Sequence, residues 1–318
     1  MSLTVHVGDC LQSLRGLADG SVHTCVTSPP YFGLRDYGHA GQIGLEDTPE
    51  AYVARLVEVF REVRRVLRDD GTLWLNLGDS YGATGGDIFT GFNARYSGTG
   101  LDGGKQAAIA ESAKGAASKT RDTGLRPKNL LGIPWRVAFA LQADGWYLRQ
   151  EIIWHKPNPM PESVRDRFTK AHEQLFLLSK SPRYYFDQDA VKEPATGRET
   201  FFGSDRYSKG SGRNDSGQYN PATCESRNRR SVWTVATKPY SGAHFATFPP
   251  DLIEPCVLAG APVGGVVLDP FGGSGTTAGV AVKHGRGAIL CELNPEYAAL
   301  IPDRVASIAG PLFARAAE

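Results

Sequence analysis

The 318-residue chain contains no apolar run approaching the roughly 20 residues that a bilayer crossing requires. Its first residues, MSLTVHVGDC, lack the basic start and apolar block of a secretory leader. A cytoplasmic protein without a membrane partner is the expectation. Cysteine is scarce as well: Cys10, Cys25, Cys224, Cys256 and Cys291 are scattered, odd in number and never spaced as CxxC. That pattern points to neither a disulfide framework nor a structural zinc site, and no metal is expected. Net charge is nearly absent, with 35 Lys and Arg against 34 Asp and Glu. Taken whole, this argues against a polyanionic partner, but a sum is blind to segregation.

What is present is 41% hydrophobic and 22% charged residues, enough to bury a core. The charges are segregated. Residues 1–80 carry 7 basic and 11 acidic side chains, residues 81–240 carry 24 and 16, and residues 241–318 carry 4 and 7. The basic middle also holds two stretches that read as long loops, Gly82 to Gly124, dense in Gly, Ser and Thr, and the polar Thr196 to Arg230. The ends read differently. Leu3–Val7, Val22–Thr27, the TLWLNLG run, Gly265–Leu268 and Ala288–Cys291 are predicted strands, and Leu11–Leu17 and Thr276–Lys283 predicted helices. After Thr48, a candidate N-cap followed by Pro49, Tyr52, Val53, Leu56, Val57, Phe60, Val63 and Leu67 recur at helical spacing, and Asp70-Gly71 is expected to stop that helix. Strand and helix alternation predicts an α/β fold, a Rossmann-like, doubly wound, mostly parallel sheet.

VVLDPFGGSGTTAG places a glycine-rich turn between a strand and a helix, where backbone N–H groups can face a carboxylate or phosphate and only glycine permits close approach. Glu292 ends the next strand, where a carboxylate can accept both hydroxyls of a ribose. Gly273, Gly275 and Ala278 also satisfy GxGxxA, so a nicotinamide-dependent oxidoreductase fits the turn equally well, and a turn serving only tight packing fits it too. Position separates these readings. A dehydrogenase fingerprint normally opens its domain, whereas here the turn stands near the chain's end, so earlier strands must complete the sheet in permuted order.

Thr27-Ser28-Pro29-Pro30-Tyr31 follows the apolar run VHTCV. Two prolines fix φ and remove two donors, so the strand must end there. The Ser28 hydroxyl and Pro29 carbonyl can accept hydrogen bonds from an exocyclic amine, and Tyr31 offers a face for a flipped base. An aromatic after a rigid turn also occurs in ordinary loops.

TSPPY near the start, ATFPPDLIEPC in the last third and then LDPFGGSGTT with an acidic residue after the next strand together resemble the beta group of amino-methylating DNA methyltransferases, in which the catalytic motif precedes the cofactor motif. The resemblance covers roughly residues 1–80 and 240–310, and GWYLRQEIIWHKPNPMPESVRDRFTKAHEQLFLLSKS is similar to the family's stretch entering its recognition region. It implies S-adenosyl-L-methionine as cofactor and double-stranded DNA as partner. It also implies a methyltransferase-type sheet holding an inserted target-recognition region. The organisation expected is a catalytic half at 1–80, a flexible loop at 81–124, sheet completion and entry to the recognition region at 125–180, the recognition region at 181–240 and a cofactor half at 241–318. By the same resemblance Ser28, Pro29, Pro30 and Tyr31 form the target-amine site. Phe271, Gly273, Gly275 and Thr276 shape the methionine side of the cofactor site with Asp269, and Thr277 helps to hold the cofactor's carboxylate. Glu292 takes the ribose, Asp9 lies near the adenine amine, and Phe248 and Pro249 pack beside the methionine moiety. Many adenine enzymes of the family carry Asp or Asn where this chain has Ser28, which favours cytosine N4 as target over the runner-up, adenine N6. A homodimer and a cognate restriction endonuclease stand open as partners.

Enzymes that methylate cytosine C5 use a cysteine after a proline, and Pro255-Cys256 superficially offers one. Its surroundings, DLIEPCVLAGA, read as an apolar helix, so Cys256 is expected to be structural. The basic middle is the expected DNA-facing surface. Within it Trp154, Lys156 and Asn158 are candidates for the target pocket or a phosphate, and Arg227, Arg229 and Arg230 for a guanine edge; an ordinary loop and a solvated charged face are the competing readings.

Overall fold

The computed structural model describes residues 2–34, 36, 38–39, 41–82, 126–195, 226–238 and 248–310. Most of both predicted loops, and Cys224, lie outside these residues. The strands are β1 (Leu3–Val7), β2 (Val22–Thr27), β3 (Leu67–Leu77), β4 (Tyr147–His155), β5 (His172–Ser179), β6 (Glu193–Pro194), β7 (Ser226–Arg227), β8 (Val232–Thr234), β9 (Val266–Asp269) and β10 (Gly287–Glu292). Eight of them form one sheet in the order β1-β10-β9-β2-β3-β5-β4-β8, and β6 pairs with β7 in a separate ribbon. Neighbours from β1 to β3 are parallel, β5 runs antiparallel between β3 and β4, and β8 pairs parallel with β4 at the edge.

Two layers of helices cover the sheet. On one face α1 (Cys10–Arg15), α2 (Pro49–Val66) and α3 (Ile133–Ala143) bury Leu14, Leu56, Phe60, Val63 and Val137 against Cys25, Leu73, Leu75 and Phe176. On the other, α4 (Pro250–Gly260), α5 (Thr276–Lys283), the short α6 (Pro295–Ala298) and α7 (Ile301–Ala309) pack on Val26, Trp74, Leu175, Val267 and Leu290. Consecutive residues such as Cys25 and Val26 enter opposite cores, which is why the central strands are apolar without alternation.

Helix α2 starts as its sequence predicts, with Ala51 N donating to Thr48 Oγ1 at 3.1 Å and Pro49 in the first turn. Its end differs. Instead of running to Asp70-Gly71, the helix stops at Val66, Leu67 turns extended and pairs with Val22, and the next pairing is Thr24 with Thr72. Strand pairing of the fully buried Leu67 overrides the helical period, and Arg68–Gly71 bulge out of the ladder.

The chain order is permuted: β9 and β10, late in sequence, lie between β1 and β2. The β2–α2–β3 crossover steps one way along the sheet and β9–α5–β10 the other. The direction therefore reverses between β2 and β9, which pair through Cys25 and Leu268. A crevice outside the carboxyl ends of strands at such a reversal is where open α/β sheets bind ligands.

Candidate active site

At the reversal the two motifs singled out by sequence meet. Thr27, the last residue of β2, donates from Oγ1 to Asp269 Oδ1 at 2.6 Å, across 242 residues of chain. Thr277 Oγ1 donates to Asp269 Oδ2 at 2.7 Å and Phe271 N to Oδ1 at 3.0 Å. Burial pushes the Asp269 carboxyl up to about 6, against the pull of these three bonds. Asp269 and Thr277 thus join the proline turn to the glycine turn from behind. Thr277 is completely buried with its hydroxyl spent on Asp269, so it serves the turn rather than the open crevice.

The glycine turn has the shape its composition suggests. Gly273 and Gly275 have φ of +52° and +93°, in the left-handed region, and a Cβ at Gly272 would lie 2.9 Å from Leu290 Cβ. Gly273 N donates to Glu292 Oε2 at 2.7 Å and Asn294 N to Oε1 at 2.8 Å. Burial raises the Glu292 pKa above its ordinary value. Strand β1 continues this edge, because Val7 pairs with Glu292 and Gly8 N donates to the Glu292 carbonyl at 2.8 Å. Asp9 follows, its Oδ1 capping α1 through Gln12 N at 2.9 Å and its Oδ2 standing 3.8 Å from Arg55. Glu292 and Asp9 therefore stand together at the carboxyl ends of the adjacent strands β10 and β1. Ser274 Oγ, which sequence reasoning passed over, is buried in the turn without a hydrogen-bond partner among the described residues. Helix α5 also begins without a side-chain cap. A polar ligand seated on this turn fits both unfilled positions. Phe248 and Pro249 lie at the start of α4, Phe248 packed against the second core and Pro249 accepting from Leu252 N at 3.0 Å.

The proline turn is held from several sides. Buried Tyr52 donates its hydroxyl to the Pro30 carbonyl at 2.9 Å. The Tyr31 hydroxyl lies 2.7 Å from Glu173 Oε2 and 3.2 Å from Asn76 Oδ1, and Ser28 Oγ donates to it at 3.4 Å. Asn76 Nδ2 donates to Glu173 at 3.3 Å and to the Gln174 carbonyl at 3.1 Å. Lys156 forms an ion pair with Glu173, and its ammonium sits 4.3 Å from the Trp154 ring centroid. Burial, reinforced by Glu173, holds the Tyr31 phenol well above its ordinary pKa, so it stays protonated. Gly78, just after β3, leaves room for Tyr31, since a Cβ there would overlap the ring and force it to move. Glu173, Asn76 and Gly78 were not singled out by sequence reasoning, and Tyr52 only as part of the apolar stripe of α2. Glu173 carried a signal, an acidic residue opening an apolar strand, but nothing local tied it to Tyr31.

The DNA-contact candidates divide. Lys156 is brought to the proline turn through Glu173. Trp154 is not presented to a ligand: it lies inside β4, 4% exposed, with Nε1 donating to the Val235 carbonyl at 2.8 Å. Asn158 exchanges hydrogen bonds with the Thr237 backbone at 3.0 and 3.2 Å, knitting the strand ends together. Arg227 and Arg230 both donate to Glu193 Oε1, at 2.8 and 2.9 Å, and Arg229 stacks 4.7 Å from the Trp233 ring centroid. Cys256 is buried in α4 with burial driving its thiol pKa upward, and Cys10 and Cys291 are pushed up to about 12. No thiolate nucleophile is available at these positions.

These features agree with comparisons to known proteins. A family model described as DNA methylase matches residues 22–303. The type II methyltransferase M.XycI of Xanthomonas campestris pv. cyanopsidis is 48% identical over 304 residues, 95% of this chain and 87% of the relative. M.SmaI of Serratia marcescens is 46% identical over 308 residues, 96% and 91% of the two chains. Among solved structures, a candidate DNA modification methylase of Thermus thermophilus, complexed with S-adenosyl-L-methionine, aligns at a TM-score of 0.58 and 25% identity, with 96% of each chain covered. The cytosine-N4-specific PvuII DNA methyltransferase shares the fold, at a TM-score of 0.63 and 18% identity over 96% of this chain and 86% of its own. By sequence and by fold, the chain belongs to the N6/N4 DNA methylase family.

Proposed function

We propose that this protein transfers a methyl group from S-adenosyl-L-methionine to the exocyclic N4 amine of a cytosine turned out of duplex DNA. The observation that supports the reading is the Asp269 junction, which joins the proline turn to the glycine turn at the sheet reversal. Glu292 and Asp9 would hold the nucleoside of the cofactor, the 272–276 backbone and Phe271 its methionine part, with Phe248 and Pro249 beside it. When bound, the cofactor supplies a methyl group activated by its sulfonium. The protein's part is to aim the amine. Ser28 spends its proton on Tyr31, and Tyr31 spends its own on the Glu173 carboxylate. The lone pairs of Ser28 Oγ and the Pro29 carbonyl are thereby free to accept the two amine N–H groups, turning the nitrogen lone pair toward the methyl. The transfer would form an N–C bond while the S–C electron pair stays on sulfur as a neutral thioether, and the proton lost from the amine nitrogen would pass to solvent.

The choice of cytosine N4 over adenine N6 rests on the family resemblance, since many adenine enzymes of the family carry Asp or Asn where this chain has Ser28. Duplex DNA is the partner, and the setting is the cytoplasm. The test is to incubate a sequence-diverse plasmid with the protein and S-adenosyl-L-methionine, then identify the modified nucleoside by mass and map it at base resolution. N4-methylcytosine is expected. N6-methyladenine would overturn the choice of base, and no modified nucleoside would overturn the function.

A further inference from the structure

The loop joining β4 to β5, residues 156–171, leaves the sheet at the same edge as the proline turn, because β4 runs in the direction of β3. Its base is closed by Lys156 N donating to the Ala171 carbonyl at 2.8 Å. Its shape is braced. Arg167 donates to both Glu162 oxygens, at 2.6 and 3.4 Å, and to the Phe168 carbonyl at 3.1 Å, while its guanidinium stacks 4.1 Å from the Tyr81 ring centroid. Lys128 ties Asp166 to the segment before α3 at 2.7 Å. On this braced loop Phe168 is 98% exposed, the most exposed large hydrophobic side chain among the described residues, with Met160 on the same loop 52% exposed. Folding gains nothing from an aromatic ring left in water. The loop's charges point to what covers it. Both acidic side chains are held by cations, whereas Arg165 is exposed and without an ion pair among the described residues. A bare aromatic beside a free cation complements a base stack flanked by phosphates.

We propose that Phe168 is a wedge that enters the duplex stack at the place the target nucleotide vacates, with Arg165 meeting an adjacent phosphate. Lys156 pairs with Glu173 across the two ends of the loop and Glu173 reaches Tyr31, so the wedge is carried by the same strands that hold the target-amine turn. Filling the gap with a ring replaces lost stacking and lowers the cost of keeping the base extruded. This inference rests on the methylation reading above.

The experiment compares single-turnover methylation of two duplexes bearing the mapped site, one fully paired and one with an abasic position opposite the target base. An abasic partner removes most of the cost of extrusion, so the wedge matters only on the paired duplex. Phe168→Ala is expected to slow the paired duplex by about ten-fold or more and to leave the abasic duplex within about two-fold. Phe168→Trp is expected to retain the rate on both. Equal loss on both duplexes, no loss on either, or a change of oligomeric state by sedimentation in Phe168→Ala would overturn the wedge. Failure of the unaltered protein to methylate either duplex would refute the methylation reading and take the wedge with it.

Discussion

Asp269→Asn should remove a specific pH dependence of stability. Asp269 is buried at the junction, with a carboxyl pKa of about 6 against an ordinary 3.8. That difference is worth about 3 kcal/mol. The folded state keeps its proton up to about pH 6, whereas the unfolded chain releases it near 3.8. Between these values the folded state binds more protons, so this residue's contribution to stability falls as pH rises through the window and stays at its low level above it. Asparagine carries no charge, and its Oδ1 can still accept from Thr27 and Phe271 N. Thr277, deprived of Oδ2, can turn toward the Val26 carbonyl, already 3.4 Å away. Urea unfolding at fixed temperature from pH 4.5 to 8 should therefore show the variant gaining on the unaltered protein as pH rises, by about 2 kcal/mol across the range, the rest of the effect falling below pH 4.5. The difference isolates Asp269, because every other titrating group is common to both proteins. Parallel stability profiles would refute the assignment of a buried, reluctantly ionised carboxylate to the junction.

Three further outcomes follow from the site. Ser28→Ala should cost roughly 10²–10³-fold in kcat, the scale for losing one preorganised hydrogen-bonding group, while equilibrium binding of S-adenosyl-L-methionine holds; an active variant would sink the role of the hydroxyl. Gly78→Ala should displace Tyr31, since the added Cβ overlaps its ring, costing about 1–3 kcal/mol by thermal unfolding together with methylation. Unchanged activity there would show that Tyr31 need not sit where it does. Cys256→Ala should keep methylation and lose about 1–2 kcal/mol of stability as a small cavity opens in the second core; loss of activity in a folded variant would place the thiol in the chemistry.

Local chemistry was legible in the sequence wherever one residue type had few alternatives. Consecutive prolines had to end β2, left-handed glycines had to make the turn after β9, and Thr48 with Pro49 had to open α2. The late position of the glycine turn already implied a permuted sheet, and the expected burial of Cys256 followed from its apolar neighbours. Partnerships between distant segments were not legible. Period alone carried α2 on to Asp70-Gly71, because it could not see Leu67 pairing with Val22. Trp154 and Asn158 read as candidate ligands until β8 came to rest beside β4 and the backbone leaving it, at Val235 and Thr237, engaged both. Glu173 became a partner of Tyr31, 142 residues away, only because β5 was laid antiparallel beside β3. Sequence by itself determined which short segments carry reactive or ligand-binding chemistry, since their conformations are set by their own sterics. Tertiary structure decided which of those segments share one crevice and which side chains hold them there, since hydrogen bonds and burial depend on neighbours that only the sheet order brings together.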